Sequence, residues 1–105
     1  MSYKWPEKDP DETADFSVDW SRFLGSDSIV SATFFVDDEN GIKTQVSTAQ
    51  IVNGLQFIAP TVSGNVATAR FGLGTNNTRY NITCRINTTQ GLTYERSVTL
   101  PIRER

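Results

Sequence analysis

Apolar and polar residues alternate with a period of two through most of the chain from residue 14 onward. Successive side chains of a β-strand point to opposite faces, so each such segment has one face suited to a core and one suited to water. No stretch carries a convincing helical period. The pattern predicts about seven short strands, at residues 16–21, 29–36, 42–47, 55–59, 66–73, 80–86 and 94–102.

Glycine-containing turn signals separate these segments. Asn40-Gly41 and Asn53-Gly54 are strong hairpin signals, and Gln90-Gly91 precedes the last segment. Pro60 is expected to end its strand or to force it to a sheet edge. Seven strands with turns every 8–12 residues predict an all-β fold, an immunoglobulin-like or fibronectin-III-like antiparallel β-sandwich of two sheets.

Three residues are predicted to hold this sandwich together. Tyr80 begins the alternating segment before the final hairpin, where such folds place a tyrosine corner; the alternative is an ordinary strand aromatic. Trp20 is placed in the core by its period, although it could also anchor a partner. Cys84 alternates with Ile82 and Ile86, which predicts a buried structural thiol rather than a nucleophile.

Residues 1–13 differ from the rest, and we expect an extended N-terminal arm on a domain formed by residues 14–105. The arm has two prolines, alternating charges and no periodicity. It also contains Trp5, a side chain that usually docks somewhere. A domain without the arm is expected to fold but not to assemble.

Charge divides the chain into an acidic and a basic part. Residues 1–39 carry ten acids and three bases, whereas residues 40–105 carry two acids and seven bases. This division follows from an acidic tail and ordinary strand arginines, or it means that an acidic segment meets a basic surface of its own domain or of a neighbouring copy. A net charge of −2 with scattered arginines argues against nucleic-acid binding.

The residue types needed for catalysis are scarce. The chain has no histidine and one cysteine, which removes the commonest general base and the His-dependent nucleophile pairs. The acids at 37–39 precede a Gly but lack the calcium-loop ligands at positions one and twelve, where Val36 and Ser47 stand. We therefore expect no catalytic residues, no metal ligands, no cofactor and no enzymatic activity.

Four stretches of the sequence resemble those of a known family. Residues 8–12 (KDPDE), 15–20 (DFSVDW) and 24–29 (LGSDSI) resemble the opening of small virion proteins of tailed bacteriophages, and residues 86–100 resemble their closing hairpin, with an E-R-S triplet at 95–97. These proteins are known as phage fiber-tail adaptors or phage structural proteins. The resemblance implies an Ig-like sandwich that assembles into a virion.

The resemblance implies a non-enzymatic protein that binds other virion proteins in tail, fibre or capsid, in multiple symmetric copies. A tail–fibre adaptor is expected, and a capsid cement or decoration protein is the alternative. A further alternative is a free-standing module that binds peptide or carbohydrate, although the predicted loops lack aromatic residues. The contacts with partners are assigned to the arm, through Trp5, Pro6, Lys8, Asp9, Pro10 and Asp11.

The chain shows no leader-like apolar stretch and no segment that could span a bilayer. With a single cysteine it forms no internal disulfide. Both features fit synthesis in a reducing host cytoplasm followed by incorporation into the virion, with no membrane partner.

Overall fold

The structure, a computed structural model, describes residues 3–104 of the chain, apart from the side chain of Tyr3. It contains nine strands and one short helix. They are β1 (Tyr3–Lys4), β2 (Ala14–Asp19), α1 (Ser21–Leu24), β3 (Ile29–Asp37), β4 (Lys43–Gln45), β5 (Gln50–Val52), β6 (Leu55–Ser63), β7 (Val66–Leu73), β8 (Thr78–Thr88) and β9 (Thr93–Ile102).

The strands form two sheets, one ordered β1-β9-β8-β3-β4 and the other β2-β7-β6-β5. All pairings are antiparallel except that between β1 and β9. The order β9-β8-β3-β4 matches strands G, F, C and C′ of an immunoglobulin-like domain, and β2-β7-β6 matches strands B, E and D. The predicted all-β Ig-like sandwich is confirmed.

The structure differs from the predicted strands in four places. α1 adds one helical turn before the predicted turn, and β1 and β5 are short strands that the pattern did not reveal. β6 does not stop at Pro60, which pairs with Ala69 on β7. Because β5 pairs with β6 only as far as Phe57, Pro60 lies on an open edge, where its missing N–H costs no ladder hydrogen bond.

The inner faces of the two sheets form one core. Phe34 of one sheet packs on Phe57 of the other with ring centroids 5.8 Å apart, and Phe57 contacts Phe71 at 5.7 Å. Ile82 and Leu100 are fully buried beside them. Burial of these side chains is the main source of stability, because each large apolar side chain contributes about 1.5–3 kcal/mol when removed from water.

The N-terminal segment is not a free arm. Tyr3 and Lys4 pair in parallel with Val98 and Thr99. The segment continues along β9, where the N–H of Lys8 donates to Pro101 O at 3.0 Å and the N–H of Arg103 donates to Lys8 O at 2.9 Å. Residues 3–8 therefore lie along the edge of the five-stranded sheet, where β1 is the outermost strand, and deleting residues 1–13 would also delete this strand.

Candidate partner-binding surfaces

Trp5, expected on an exposed arm, lies in the core of its own domain. Only 8% of its surface is exposed. Its ring lies 5.3 Å from that of Phe16 and 6.1 Å from that of Phe71, and Nε1–H donates to Ser17 O at 2.9 Å. The large aromatic surface favours docking, and the indole N–H finds a carbonyl on the outer edge of β2. Trp5 thus covers the core at the side of the sandwich that lies between β2 and β9.

Lys8 is also buried, with 1% of its surface exposed. Its ammonium donates to Leu73 O at 2.6 Å and to Asp9 O at 2.8 Å. Burial lowers the pKa of Lys8, and the nearby carboxylates of Glu12 and Asp9 oppose that shift. Lys8 therefore fixes the N-terminal segment to the last residue of β7: its aliphatic stem is buried and its ammonium is bonded to the carbonyl of Leu73.

The four residues after Lys8 form a compact turn, which we call the acidic turn (residues 9–12). The N–H of Asp11 donates to Asp9 Oδ1 at 2.9 Å, and the N–H of Asp9 donates to Glu12 Oε1 at 2.8 Å. Asp9 and Pro10 are half-buried and Asp11 is exposed, as is Pro6. Of the predicted partner-binding residues, Pro6 and those of the acidic turn reach the surface, and Trp5 and Lys8 hold the segment in place.

Tyr80 lies near the start of β8 with 2% of its surface exposed. Its hydroxyl donates to Asn53 O at 2.7 Å and accepts from the N–H of Thr75 at 3.0 Å. These are the bonds expected of a tyrosine corner. They join the β5–β6 turn to the β7–β8 turn. A Cβ at Gly54, where φ is +84°, would lie 2.8 Å from Thr75 Oγ1, so the junction requires glycine.

Trp20 and Cys84 are both buried at 1% exposure. The guanidinium of Arg96 lies 4.5 Å from the centroid of the Trp20 ring and covers its outer side. Burial raises the pKa of the Cys84 thiol to about 11, although Trp20 and Arg96 act in the opposite direction. A thiol that stays protonated and buried is a poor nucleophile.

The acidic and basic parts of the chain meet on the surface of the domain itself. Arg70 Nε lies 2.8 Å from Asp15 Oδ1 across the β2–β7 pair, and Arg103 Nη1 lies 3.6 Å from Glu7 Oε2. Both pairs join an acid of the first part to a base of the second. Some of the acids of residues 1–39 are therefore paired with bases of residues 40–105 within a single copy of the domain.

The outer face of the five-stranded sheet carries a polar network around one aromatic ring. Phe35 points outward but is only 7% exposed, because Arg85 at 4.5 Å and Lys43 at 5.8 Å cover its ring. Glu95 bridges the two cations, accepting from Lys43 at 3.1 Å and from Arg85 at 2.6 Å. This network was not predicted, although the adjacent apolar residues Phe34 and Phe35 on both faces of β3 were a signal.

Asp27 fastens the loop after α1 to the β8–β9 turn and was not anticipated. It is 7% exposed, and its Oδ1 accepts from Thr89 Oγ1 at 2.7 Å, from the N–H of Ser28 at 2.8 Å and from that of Gln90 at 3.3 Å. Burial opposes ionisation, but these hydrogen bonds together with one from Thr88 outweigh it, so the pKa of Asp27 lies below its ordinary value. A buried acid at a turn has no periodic sequence signal.

A shallow groove of about 320 Å³ lies between the N-terminal segment and the ends of β8 and β9. Lys4, Arg79 and Arg103 line it, with Glu7 as the acid. Among residues 3–104 no three His, Cys, Asp or Glu side chains are grouped to hold a metal ion. Likewise, no helix in the described part of the chain is long and apolar enough to cross a membrane.

Residues 8–101 match the model of the family "Podophage GP4 fiber-tail adaptor protein gp77", a span that covers the strands of both sheets apart from β1 and the last residue of β9. The chain belongs to this family. It is therefore a component of the phage virion with a structural adaptor role, as the resemblance predicted. The match begins at Lys8, so it includes the acidic turn.

Comparisons with solved structures and with curated proteins give weaker similarity or none. The chain is similar to the solution structure of the PKD domain from the KIAA 1837 protein, with a TM-score of 0.44 and 17% sequence identity over 98% of this chain and 78% of that one. The likeness is weak, and the fold rests on the strand pairing described above. No curated protein is significantly similar to the chain.

Proposed function

We propose that this protein joins the tail of a podophage to its fibres by binding other virion proteins non-covalently, and that it does so without catalysis. The observation that carries this proposal is the family match over residues 8–101, which covers nearly the whole sandwich. The family favours the adaptor over the capsid cement alternative. Neither peptide nor carbohydrate recognition by a free-standing module is needed to explain any feature of the surface.

The geometry supports a role in binding. The domain is a rigid sandwich whose N-terminal segment is fixed by Trp5 and Lys8, so the acidic turn is presented in one conformation. A preorganised surface loses less conformational entropy on binding than a flexible arm. We propose that the exposed residues Pro6 and Asp11 and the half-buried residues Asp9 and Pro10 contact a partner, and that Trp5 and Lys8 act indirectly by positioning them.

The absence of enzymatic activity is supported by the chemistry of the described side chains. The thiol of Cys84 is buried and its pKa is raised to about 11, and the chain has no histidine. Asp15 and Glu95 are held in ion pairs with Arg70 and Arg85 at the surface. Synthesis in the host cytoplasm, symmetric copies in the particle, and the lack of nucleic-acid and membrane partners belong to the same proposal.

The test is the location of the protein in purified virions. Particles of the encoding phage are separated by mild disruption into capsids, tails and detached fibres, and the protein is quantified in each fraction by mass spectrometry. We expect it in the tail fraction and in tail–fibre complexes. Recovery with capsids alone would favour the cement alternative, and absence from particles would contradict a virion role.

The surface assignment is tested with the double variant D9N/D11N. The Asp11 side chain is exposed, and Asn keeps the size of both side chains, so the domain should retain its fold. We expect reduced incorporation into tails. The matched control is D37N/D38N at the β3–β4 hairpin, which removes the same charge elsewhere and should incorporate normally.

A further inference from the structure

Three half-strands of the sandwich have no strand beside their outer edge in the described part of the chain. They are residues 29–33 of β3, residues 59–63 of β6 and residues 93–97 of β9, because β4, β5 and β1 cover only the other half of each. An open edge exposes unpaired N–H and C=O groups and can accept a further strand. Proteins therefore usually disrupt such edges.

Two of the three edges are disrupted. β3 carries a register shift between Ile29 and Ser31, and β6 carries one between Phe57 and Ala59 and has Pro60 on its open side. Bulges and prolines are the common means of blocking strand addition. In contrast, β9 pairs with β8 in continuous register from Thr93 to Ile102, without a bulge. Its open half contains no proline.

The direction of the free groups on β9 follows from the N-terminal segment. Thr99 O accepts from the N–H of Trp5 and Pro101 O accepts from the N–H of Lys8, so odd-numbered residues point their backbone groups away from β8. N–H and C=O groups of one residue share a side in an antiparallel ladder, and this side alternates along the strand. Thr93 and Glu95 therefore present both their N–H and C=O groups to the open edge. Ser97 presents its N–H there, whereas its C=O lies in the pairing with β1.

The charges on this half-strand do not block the edge. Glu95 turns onto the outer face of the sheet, where it accepts from Arg85 and Lys43. Arg96 lies over the Trp20 ring and donates to Asp19 O at 3.4 Å. Both charged side chains thus lie against their own domain. The outer edge of β2 lies across from this half of β9. Its carbonyls already have partners, because Ser17 O accepts from the Trp5 indole and Asp19 O accepts from the Arg96 guanidinium.

A cleft of about 260 Å³ opens beside this edge, between β9 and β2. Trp5, Val18 and Val98 line it, with Lys4, Arg96 and Asp19 among the polar lining residues. In a strand added to β9, alternate side chains would point toward this cleft. The cleft favours an apolar side chain that is flanked by polar ones.

The geometry points to β9 as an acceptor edge: an extended segment of a second virion protein adds to residues 93–97, in line with β1, and places an apolar side chain in the adjacent cleft. The intramolecular pairing of β1 with β9 shows that this edge already accepts an extended segment through main-chain hydrogen bonds. Strand addition of this kind obtains affinity from the backbone and specificity from the side-chain cleft. The inference rests on the proposed adaptor function and names how one partner is held.

The first test is hydrogen–deuterium exchange of the wild-type protein, free and in purified tails. The N–H groups of Glu95 and Ser97 face the open edge and should exchange rapidly in the free domain. We expect them to exchange at least tenfold more slowly in tails, whereas those of Tyr94 and Arg96, which face β8, change little. Unchanged exchange at Glu95 and Ser97 in tails would overturn the inference. Absence of the protein from tails would instead contradict the adaptor function itself.

The second test uses a proline on the edge. S97P removes an outward N–H and leaves the hydrogen bonds to β8, and S97A is the matched control that removes the hydroxyl but keeps the N–H. We expect S97A to be incorporated at the wild-type level and S97P at less than a tenth of it, with the same circular dichroism spectrum. Normal incorporation of S97P would contradict the inference. If S97P does not fold, the exchange experiment on the wild-type protein decides.

Measurements in solution distinguish pairing between two copies of this chain from binding of a different virion protein. Two β9 edges could pair with each other, giving a dimer of the isolated protein. We expect light scattering to show a monomer for both the wild type and S97P, because the edge is used by a different protein. A wild-type dimer that S97P dissociates would overturn the assignment to a second virion protein.

Discussion

The hydroxyl of Tyr80 and the carbonyl of Asn53 are 2.7 Å apart, and this hydrogen bond ties the turn at one end of the four-stranded sheet to the start of β8. The same hydroxyl accepts from the N–H of Thr75. One side chain therefore provides hydrogen-bond partners for backbone groups of two different turns.

Tyr80→Phe is expected to lower the free energy of unfolding by about 1–2 kcal/mol, because it removes both hydrogen bonds and leaves the ring in place. Urea denaturation monitored by tryptophan fluorescence measures the change. Tyr94→Phe, at a half-exposed ring on β9, is the control and should have little effect. Equal stability of Tyr80→Phe and the wild type would show that the corner contributes nothing.

Trp5→Ala is expected to lower the free energy of unfolding by about 3 kcal/mol, because it opens a cavity beside Phe16 and Phe71 and removes a hydrogen bond to Ser17. Pro6→Ala, one residue further and exposed, should change it by less than about 0.5 kcal/mol. Chemical denaturation of both variants measures the difference. A wild-type midpoint for Trp5→Ala would mean that the segment is a free arm after all.

Cys84 should make stability fall at alkaline pH. The thiol pKa is raised from 9.0 to about 11 in the folded state, so the contribution is fully present below pH 9 and is lost as pH rises toward 11. The loss amounts to about 2–3 kcal/mol. Denaturation at pH 8 and pH 10.5 should show a smaller decrease for Cys84→Ala than for the wild type.

The same burial should protect Cys84 from reagents. We expect iodoacetamide at pH 8 to leave the native protein unmodified on a timescale at which the urea-unfolded chain reacts completely. Intact-mass spectrometry follows the reaction. Rapid modification of the native protein would contradict the buried thiol.

Asp27→Asn should destabilise the protein at neutral pH but not in acid. The folded-state pKa of Asp27 lies below its ordinary value, so the carboxylate stabilises the fold above about pH 4 and this contribution is lost as pH falls through the folded-state pKa. The melting temperatures of variant and wild type should differ at pH 7 and converge near pH 2. Asp38→Asn, at the tip of the β3–β4 hairpin, is the control for a turn aspartate elsewhere.

The sandwich could be predicted because its strands have a strong period-two pattern and are separated by glycine turns. Tyr80, Trp20 and Cys84 fall on the inner face in that pattern, and the structure places all three inside. The alternation of faces along a strand also holds for Glu95, which bonds Arg85 on the outer face, and Arg96, which lies over Trp20. These features are local, so the sequence is sufficient for them.

The N-terminal segment could not be predicted because its order depends on distant residues. The partners of Trp5 are Phe16, Ser17 and Phe71, and Lys8 is held by the carbonyl of Leu73. None of these contacts leaves a periodic signal near residues 3–8. The presence of a tryptophan predicted docking, but the docking surface is its own domain.

The pairing of β1 with β9 joins the first described residues to the last strand. Contacts between residues so far apart in sequence form late, because the intervening chain must be ordered first. During translation β9 leaves the ribosome after β2–β8, so Trp5 and Lys8 have no complete binding site until β9 has been made. The N-terminal segment can therefore take its place in the sandwich only after β9 has been synthesised, and a product terminated before β9 would keep Trp5 and Lys8 exposed and be a target for proteolysis.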